Sequence, residues 1–354
     1  MTHLLTTARA RFEAARSLPG ASDGRLCGRH GHGFVVDVAA RSTYASADPE
    51  GSADAVGILS RSLQQAVASY DYADLNTQYA DPSDEGLAVA IATSLSAFDL
   101  SRVVVAPTPF RRVEWTAQQG VIHAYRYAFE AAHFLPNVPE GHKCGRLHGH
   151  SFEVLIRARV DGAAIDAAWA PLGARLTYDC LNDIEGLSNP TSECLAQWLW
   201  VQLQPSLVGL QTVTVYETGR CGATYDGQRH SIWRAFTFDA AVQIEGAAAT
   251  DPRRRTHGHT YRLRLHLSAP LDPVLGWALD FADVQRLFAP IYDALDHRPL
   301  SALPGLASQR TPAVAQWIRA EAAALLPALT RIDLEETVGN GVVLAWGADE
   351  PFPV

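Results

Sequence analysis

The chain has 354 residues, 47% hydrophobic and 19% charged, a globular composition that excludes a disordered or fibrous protein. Its net charge of −9 comes without a basic block, so no stretch is made to neutralise a nucleic-acid backbone, and nucleic acid is not expected as a partner. The 5 cysteines, Cys27, Cys144, Cys180, Cys194 and Cys221, are odd in number and lack paired spacing, which argues against a disulfide framework and for a reducing, cytoplasmic setting.

From the N-terminus, Arg9, Arg11, Glu13 and Arg16 leave no apolar signal core. No later run approaches the ~20 apolar residues of a membrane helix, so no membrane association is expected. The first element ends in Phe12-Glu13-Ala14-Ala15-Arg16 and leads to His30-Gly31-His32. The tripeptide returns at His148-Gly149-His150 and at His257-Gly258-His259, spacings of 118 and 109 residues. A run of alternating polarity, the period of a half-buried strand, follows each copy. In the second, Phe152, Val154, Ile156 and Ala158 alternate with Glu153, Leu155 and Arg157; in the third, Tyr261, Leu263, Leu265 and Leu267 alternate with Arg262, Arg264 and His266. Next comes a cap residue and proline, at Asp81-Pro82, Asn189-Pro190 and Thr311-Pro312, each predicted to open a helix. Leu195, Trp198, Leu199 and Leu203 then fall on one helical face. A β-rich segment closes each copy, at 102–105, 213–218 and 332–337. The spacing thus predicts three copies of strand, strand, helix, helix, strand, strand, bounded at 1–116, 117–230 and 231–354.

Histidines at i and i+2 of a strand project to one side, so His148 and His150 can present two imidazoles to one ion. His133 ends the run Tyr125, Tyr127, Phe129, Ala131 of matching parity and can face them from a paired strand. Three imidazoles with an open fourth position make a catalytic zinc site. Where copy two reads Phe129-Glu130-Ala131-Ala132-His133, copy one ends in Arg16 and copy three, Phe238-Asp239-Ala240-Ala241-Val242, ends in valine. One zinc ion per chain is therefore expected, with His30, His32, His257 and His259 as remnants or hydrogen-bonded structural histidines.

These residues, together with Lys143-Cys144-Gly145-Arg146-Leu147-His148-Gly149-His150, the segment from Leu181-Asn182 through Asn189-Pro190-Thr191-Ser192-Glu193, and Val213-Thr214-Val215-Tyr216-Glu217-Thr218, resemble the 6-carboxytetrahydropterin synthases and their relatives the 6-pyruvoyltetrahydropterin synthases. The resemblance spans 120–227 in order, and the other two copies resemble the same family more weakly. It implies an α+β tunnelling fold, in which three copies close into an antiparallel barrel with helices outside, here as a single-chain pseudo-trimer. Relatives stack two such rings face to face, which implies a homodimer of this chain.

The resemblance also implies site roles. His133, His148 and His150 match zinc ligands that hold the hydroxyls of the substrate side chain, and Cys144 matches the general base, a thiol whose pKa falls beside cations or a metal. The family pairs this cysteine with an Asp-His dyad, lost in copy one (Tyr70-Asp71-Tyr72) and copy two (Leu176-Thr177-Tyr178) but kept in copy three as Leu295-Asp296-His297. Because family sites lie at the junction of adjacent copies, Asp296 and His297 are implied to relay protons for the zinc site of copy two. A glutamate holds the pterin through two N–H bonds; Glu217 and Glu336 both qualify, while copy one has Pro107 there. The implied reaction converts 7,8-dihydroneopterin triphosphate to 6-carboxy-5,6,7,8-tetrahydropterin, as in queuosine biosynthesis. The rivals are a 6-pyruvoyl product, a related pterin or deazapurine enzyme of a natural-product pathway, and a non-catalytic pterin-binding scaffold.

Overall fold

The computed structural model describes residues 2–21, 23–41, 54–247, 249–306 and 308–346. The chain first forms β1 (Thr2–Arg16), β2 (His30–Arg41), α1 (Ala55–Val67), α2 (Asp84–Ser94), β3 (Leu100–Thr108) and β4 (Arg111–Thr116). The same order returns as β5 (Gly120–His133), β6 (His148–Ala158), α3 (Gly162–Leu176), α4 (Ser192–Leu203), β7 (Leu210–Thr218) and β8 (Cys221–Tyr225). It returns again as β9 (His230–Val242), β10 (His257–Leu267), α5 (Phe281–Leu295), α6 (Thr311–Ala322), β11 (Leu329–Thr337) and β12 (Asn340–Trp346). Each of these strands pairs antiparallel with its neighbours in the chain, and β12 pairs back onto β1, so the sheet closes into a barrel. Closure removes the unpaired edges that an open sheet presents.

The alternation along each strand decides which way its side chains point. Phe152, Val154 and Ile156 of β6 are buried against Ile165 and Trp169 of α3 and Leu195 and Leu199 of α4. Tyr261, Leu263 and Leu265 of β10 meet Val284 and Phe288 of α5 and Val314 and Ile318 of α6 in the same way, and Phe34, Val36 and Val38 of β2 meet Leu59 and Leu63 of α1 and Leu87 and Ile91 of α2. The helices therefore lie outside the barrel. The opposite parity does not face solvent as its polarity suggests: Leu155, Arg157 and His266 are all buried, because those positions face the interior of the closed barrel. Hairpins at two junctions are held tight by glycine: a Cβ on Gly222 would sit 2.2 Å from the Val215 carbonyl oxygen, and one on Gly341 would sit 2.0 Å from that of Leu334.

The helix starts differ from expectation. Helix α2 is capped by Ser83, whose Oγ accepts from Gly86 N at 3.0 Å, and α4 by Thr191, whose Oγ1 accepts from Cys194 N at 3.1 Å. Asp81 and Asn189 lie upstream of these caps and are committed elsewhere, Asp81 to the Ser83 amide and Asn189 to the Leu275 carbonyl. Thr311 is the first residue of α6 rather than its cap, and Arg310 before it makes no side-chain capping bond. Among the described residues, no helix is long and apolar enough to cross a membrane.

Candidate metal centre

Antiparallel pairing of β5 with β6 assembles the site one rung at a time. Phe129 stands opposite Phe152, their rings stacked at 5.2 Å; Ala131 is opposite His150, and His133 is opposite His148. The same aromatic rung recurs as Phe12–Phe34 at 4.7 Å and Phe238–Tyr261 at 4.9 Å, so each run has the floor of such a site. In the second run the ring centroids of His133, His148 and His150 are 4.5 to 5.2 Å apart. Glu217, near the end of β7, completes a set whose potential ligand atoms all lie within 4.8 Å of one another.

The surroundings prepare these imidazoles for a cation. A carbonyl can only accept, so the contacts of His133 Nδ1 with the Pro190 oxygen (3.1 Å) and of His148 Nδ1 with the Arg146 oxygen (2.7 Å) place the proton on Nδ1 and leave the Nε2 lone pair free. His133 Nε2 and His150 Nε2 are buried without a hydrogen-bond partner, the condition that a bound cation satisfies. His150 Nε2 is 3.1 Å from Glu217 Oε1, close enough for an ion pair but not aligned for a hydrogen bond. Burial pushes His133 down to about 4 against the pull of Glu217, so its imidazole is neutral near pH 7. Burial works to raise Glu217, but His150 and His133 outweigh it and keep the carboxyl below its usual value. Its second oxygen accepts from Ser192 Oγ at 3.0 Å.

The other two runs diverge at the position of His133. Arg16 is 3% exposed and donates to the Pro82 carbonyl at 2.9 Å, much as His133 does to Pro190, while pairing with Asp84 at 2.8 Å. A guanidinium thus occupies the place where a metal needs a neutral donor. In the third run Val242 offers no donor; His257 Nδ1 meets the Arg255 oxygen at 2.8 Å, and Glu336 accepts from Thr311 as Glu217 does from Ser192. Of the two candidate glutamates, Glu217 is the one beside three imidazoles.

Cys144 lies in the single helical turn Lys143–Gly145 that leads into β6. Burial and then Glu217 raise its thiol, with Lys143 opposing, so the protein's own field runs against the lowered pKa expected from nearby cations. Its backbone N donates to His142 Nδ1 at 3.2 Å, and His142 Nε2 donates to Asp280 at 2.9 Å. Asp280 belongs to the segment before α5, which walls the site from the third run. Asn137 and Asn189 donate to the Val274 and Leu275 carbonyls at 2.7 and 2.8 Å, and Thr191 Oγ1 donates to the Gly276 carbonyl at 2.7 Å. Glu193, pushed up to about 7 by burial, accepts from Ala278 N at 2.9 Å. His142, Asp280 and Glu193 were not singled out by sequence reasoning. His142 and Asp280 are 138 residues apart, and no local pattern marks their pairing.

The dyad itself is formed: His297 Nδ1 donates to Asp296 Oδ2 at 2.9 Å, and Asp296 Oδ1 accepts from Asp239 N at 2.9 Å. His297 has φ 56°, as Tyr178 (62°) and Tyr72 (52°) do in the same place, so the turn that presents it is common to all three runs. Its side chain is 77% exposed, and the groups that act on it are Asp296 and Asp239. No hydrogen bond or ion pair joins the dyad to Cys144 among the described residues.

A closed antiparallel barrel with helices outside, bearing three imidazoles and a carboxylate on paired strands, defines a tunnelling-barrel protein with a metal-type site. A sequence model of 6-pyruvoyl tetrahydropterin synthase matches residues 124–228 and again 231–345, more than half of the chain. The chain belongs to the 6-pyruvoyl tetrahydropterin synthase family. A 6-carboxy-5,6,7,8-tetrahydropterin synthase from Synechocystis sp. is 38% identical over 121 residues, covering 30% of this chain and 92% of its own. Among solved structures, 6-pyruvoyl tetrahydropterin synthase from Caenorhabditis elegans matches 33% of this chain and 95% of its own, at 21% identity and a TM-score of 0.31. A uricase from Arthrobacter globiformis matches 74% and 92%, at 9% identity and a TM-score of 0.32.

Proposed function

We propose that this chain binds one zinc ion through His133, His148 and His150 and converts 7,8-dihydroneopterin triphosphate to 6-carboxy-5,6,7,8-tetrahydropterin. The observation that carries the reading is the set of three converging imidazoles, with a buried Nε2 on His133 that has no hydrogen-bond partner and one on His150 that faces only Glu217 at 3.1 Å. The 38% identity to the Synechocystis enzyme supports the choice of product. Bound zinc supplies Lewis acidity toward the side-chain hydroxyls, making neighbouring carbon-bound protons easier to remove.

In this reading Cys144 takes such a proton. Burial and then Glu217 raise the free thiol, and a cation held by the imidazoles would act in the opposite direction. Asp296 fixes the Nδ1 proton of His297 and favours its charged form, leaving Nε2 to deliver or accept a proton at the substrate. Glu217, anchored by Ser192, accepts two N–H bonds from the pterin edge. The three runs at 1–116, 117–230 and 231–354 act as units of a pseudo-trimer, and two chains stack as a homodimer.

The test is mass analysis of products after incubating the zinc-loaded protein with dihydroneopterin triphosphate. A 6-carboxytetrahydropterin mass is expected; a 6-pyruvoyl mass or unchanged substrate overturns the assignment.

A further inference from the structure

Inside the barrel and at its mouth lies a cavity of about 840 Å³ whose lining includes ten arginines against four carboxylates, Asp37, Asp293, Asp333 and Glu335. This is the reverse of the chain as a whole, which carries −9. The arginines are scattered through the sequence and form no basic block; barrel closure gathers them. Two of the four carboxylates are each gripped by one guanidinium. Arg9 holds Asp37 at 2.6 and 2.9 Å, and Arg331 holds Asp333 at 2.6 and 2.8 Å.

A different arrangement surrounds Glu114 of β4, which is fully buried beside the cavity. Arg157 of β6 reaches it at 2.6 Å, Arg112 of β4 at 3.4 Å and Arg102 of β3 at 3.7 Å. Register explains the gathering: Arg112 stands opposite Ala124 of β5, and Ala124 stands opposite Arg157, so a methyl group separates two long cations in one row. Burial acts to raise the Glu114 carboxyl, but Arg157, Arg102 and Arg112 outweigh it and hold it at about 2, so it is ionised. Burial pushes Arg102 down to about 10, which leaves it charged near pH 7. Three guanidiniums on one carboxylate leave two positive charges over. Arg102 Nη1 and Arg112 Nε face Glu114 at ion-pair distance without a hydrogen bond, and Arg102 Nε and Arg112 Nη2 are buried with no acceptor.

We infer that Arg102 and Arg112, braced by the Arg157–Glu114 pair, form a binding site for a phosphate-class oxyanion on the inner face of the barrel. Buried positive charge in excess of its counter-charge is costly, and an anion held at the cavity-facing edges of Arg102 and Arg112 offsets it. The ligand must bring about two negative charges and several oxygens. Guanidinium forks match phosphate oxygens in geometry, and a low-dielectric cavity concentrates their field. The site is separate from the metal centre: His148 and His150 share the outward parity of Phe152 on β6, whereas Arg157 has the inward one.

The experiment is calorimetric titration of the zinc-loaded full-length protein with inorganic phosphate and with triphosphate at constant ionic strength. Saturable binding is expected, and it weakens about tenfold or more in Arg102→Gln and in Arg112→Gln, the loss typical of a charge-assisted contact. Tighter binding of triphosphate than of phosphate identifies a phosphate chain as the occupant, and equal affinities identify a single phosphate. Phosphate held at the zinc instead would survive both substitutions unchanged, and that result overturns the inference. So does the absence of saturable binding to the parent protein. If Arg102→Gln does not fold, Arg112→Gln gives the reading alone.

Discussion

At position 133 the second run places histidine where the first places Arg16 and the third Val242, and the three side chains use one space in three ways. The imidazole donates through Nδ1 to a carbonyl and keeps a lone pair for an ion; the guanidinium takes the equivalent carbonyl but brings a positive charge; the valine fills volume only. Two histidines alone leave a zinc site short of the usual ligand number. Metal analysis is therefore expected to find one tightly held zinc per chain, lost in His133→Ala and retained in His257→Ala. Two or three zinc ions per chain, or equal loss in both variants, contradicts this. The decision between the runs was open to sequence reasoning because it rests on residue type at one register position. The tautomers were not, since they depend on the Pro190 and Arg146 carbonyls that folding brings up.

At the scale of elements, the strands were legible and the helix starts less so. Tyr261, Leu263, Leu265 and Leu267 announce their face by period alone, but period cannot tell solvent from a barrel interior, so buried Arg157 and His266 went unrecognised. The caps were misplaced because Asp81 and Asn189 are good capping residues by type, and their side chains are engaged with the Ser83 amide and the Leu275 carbonyl. Thr191 shows what the true cap of α4 also does. Its Oγ1 accepts from Cys194 N at 3.1 Å and donates to the Gly276 carbonyl at 2.7 Å, joining a helix start to the wall supplied by the third run. Thr191→Ala removes both bonds at a buried position and is expected to lower stability by about 1–3 kcal/mol. Thr191→Ser, which keeps the hydroxyl, is expected to recover most of it. Denaturant titration of the three proteins checks this, and an alanine variant as stable as the parent would show that the cap is dispensable.

At the scale of the whole molecule, pairing between successive runs makes distant segments neighbours, and the wall beside the candidate metal centre comes from it. The β8–β9 pairing brings the 272–280 segment over His142, Asn189 and Glu193, which no reading of one run by itself reveals. The proposed split of chemistry between Cys144 and His297 belongs to this scale. Neither is a proposed metal ligand, and His297 is largely exposed, so removing either should spare zinc binding and the fold. Groups that act as one proton-transfer unit lose most of their joint contribution when the first is removed. Cys144→Ala, His297→Ala and the double variant are therefore expected to show similar, strongly reduced turnover. Cys27→Ala and Tyr72→Phe, at the corresponding places of the first run, should be nearly silent. Losses that simply multiply in the double variant would mean that the two side chains work independently. Full turnover in His297→Ala would mean that the third run contributes its 272–280 wall to the site but no proton, leaving Cys144 to work from the second run alone.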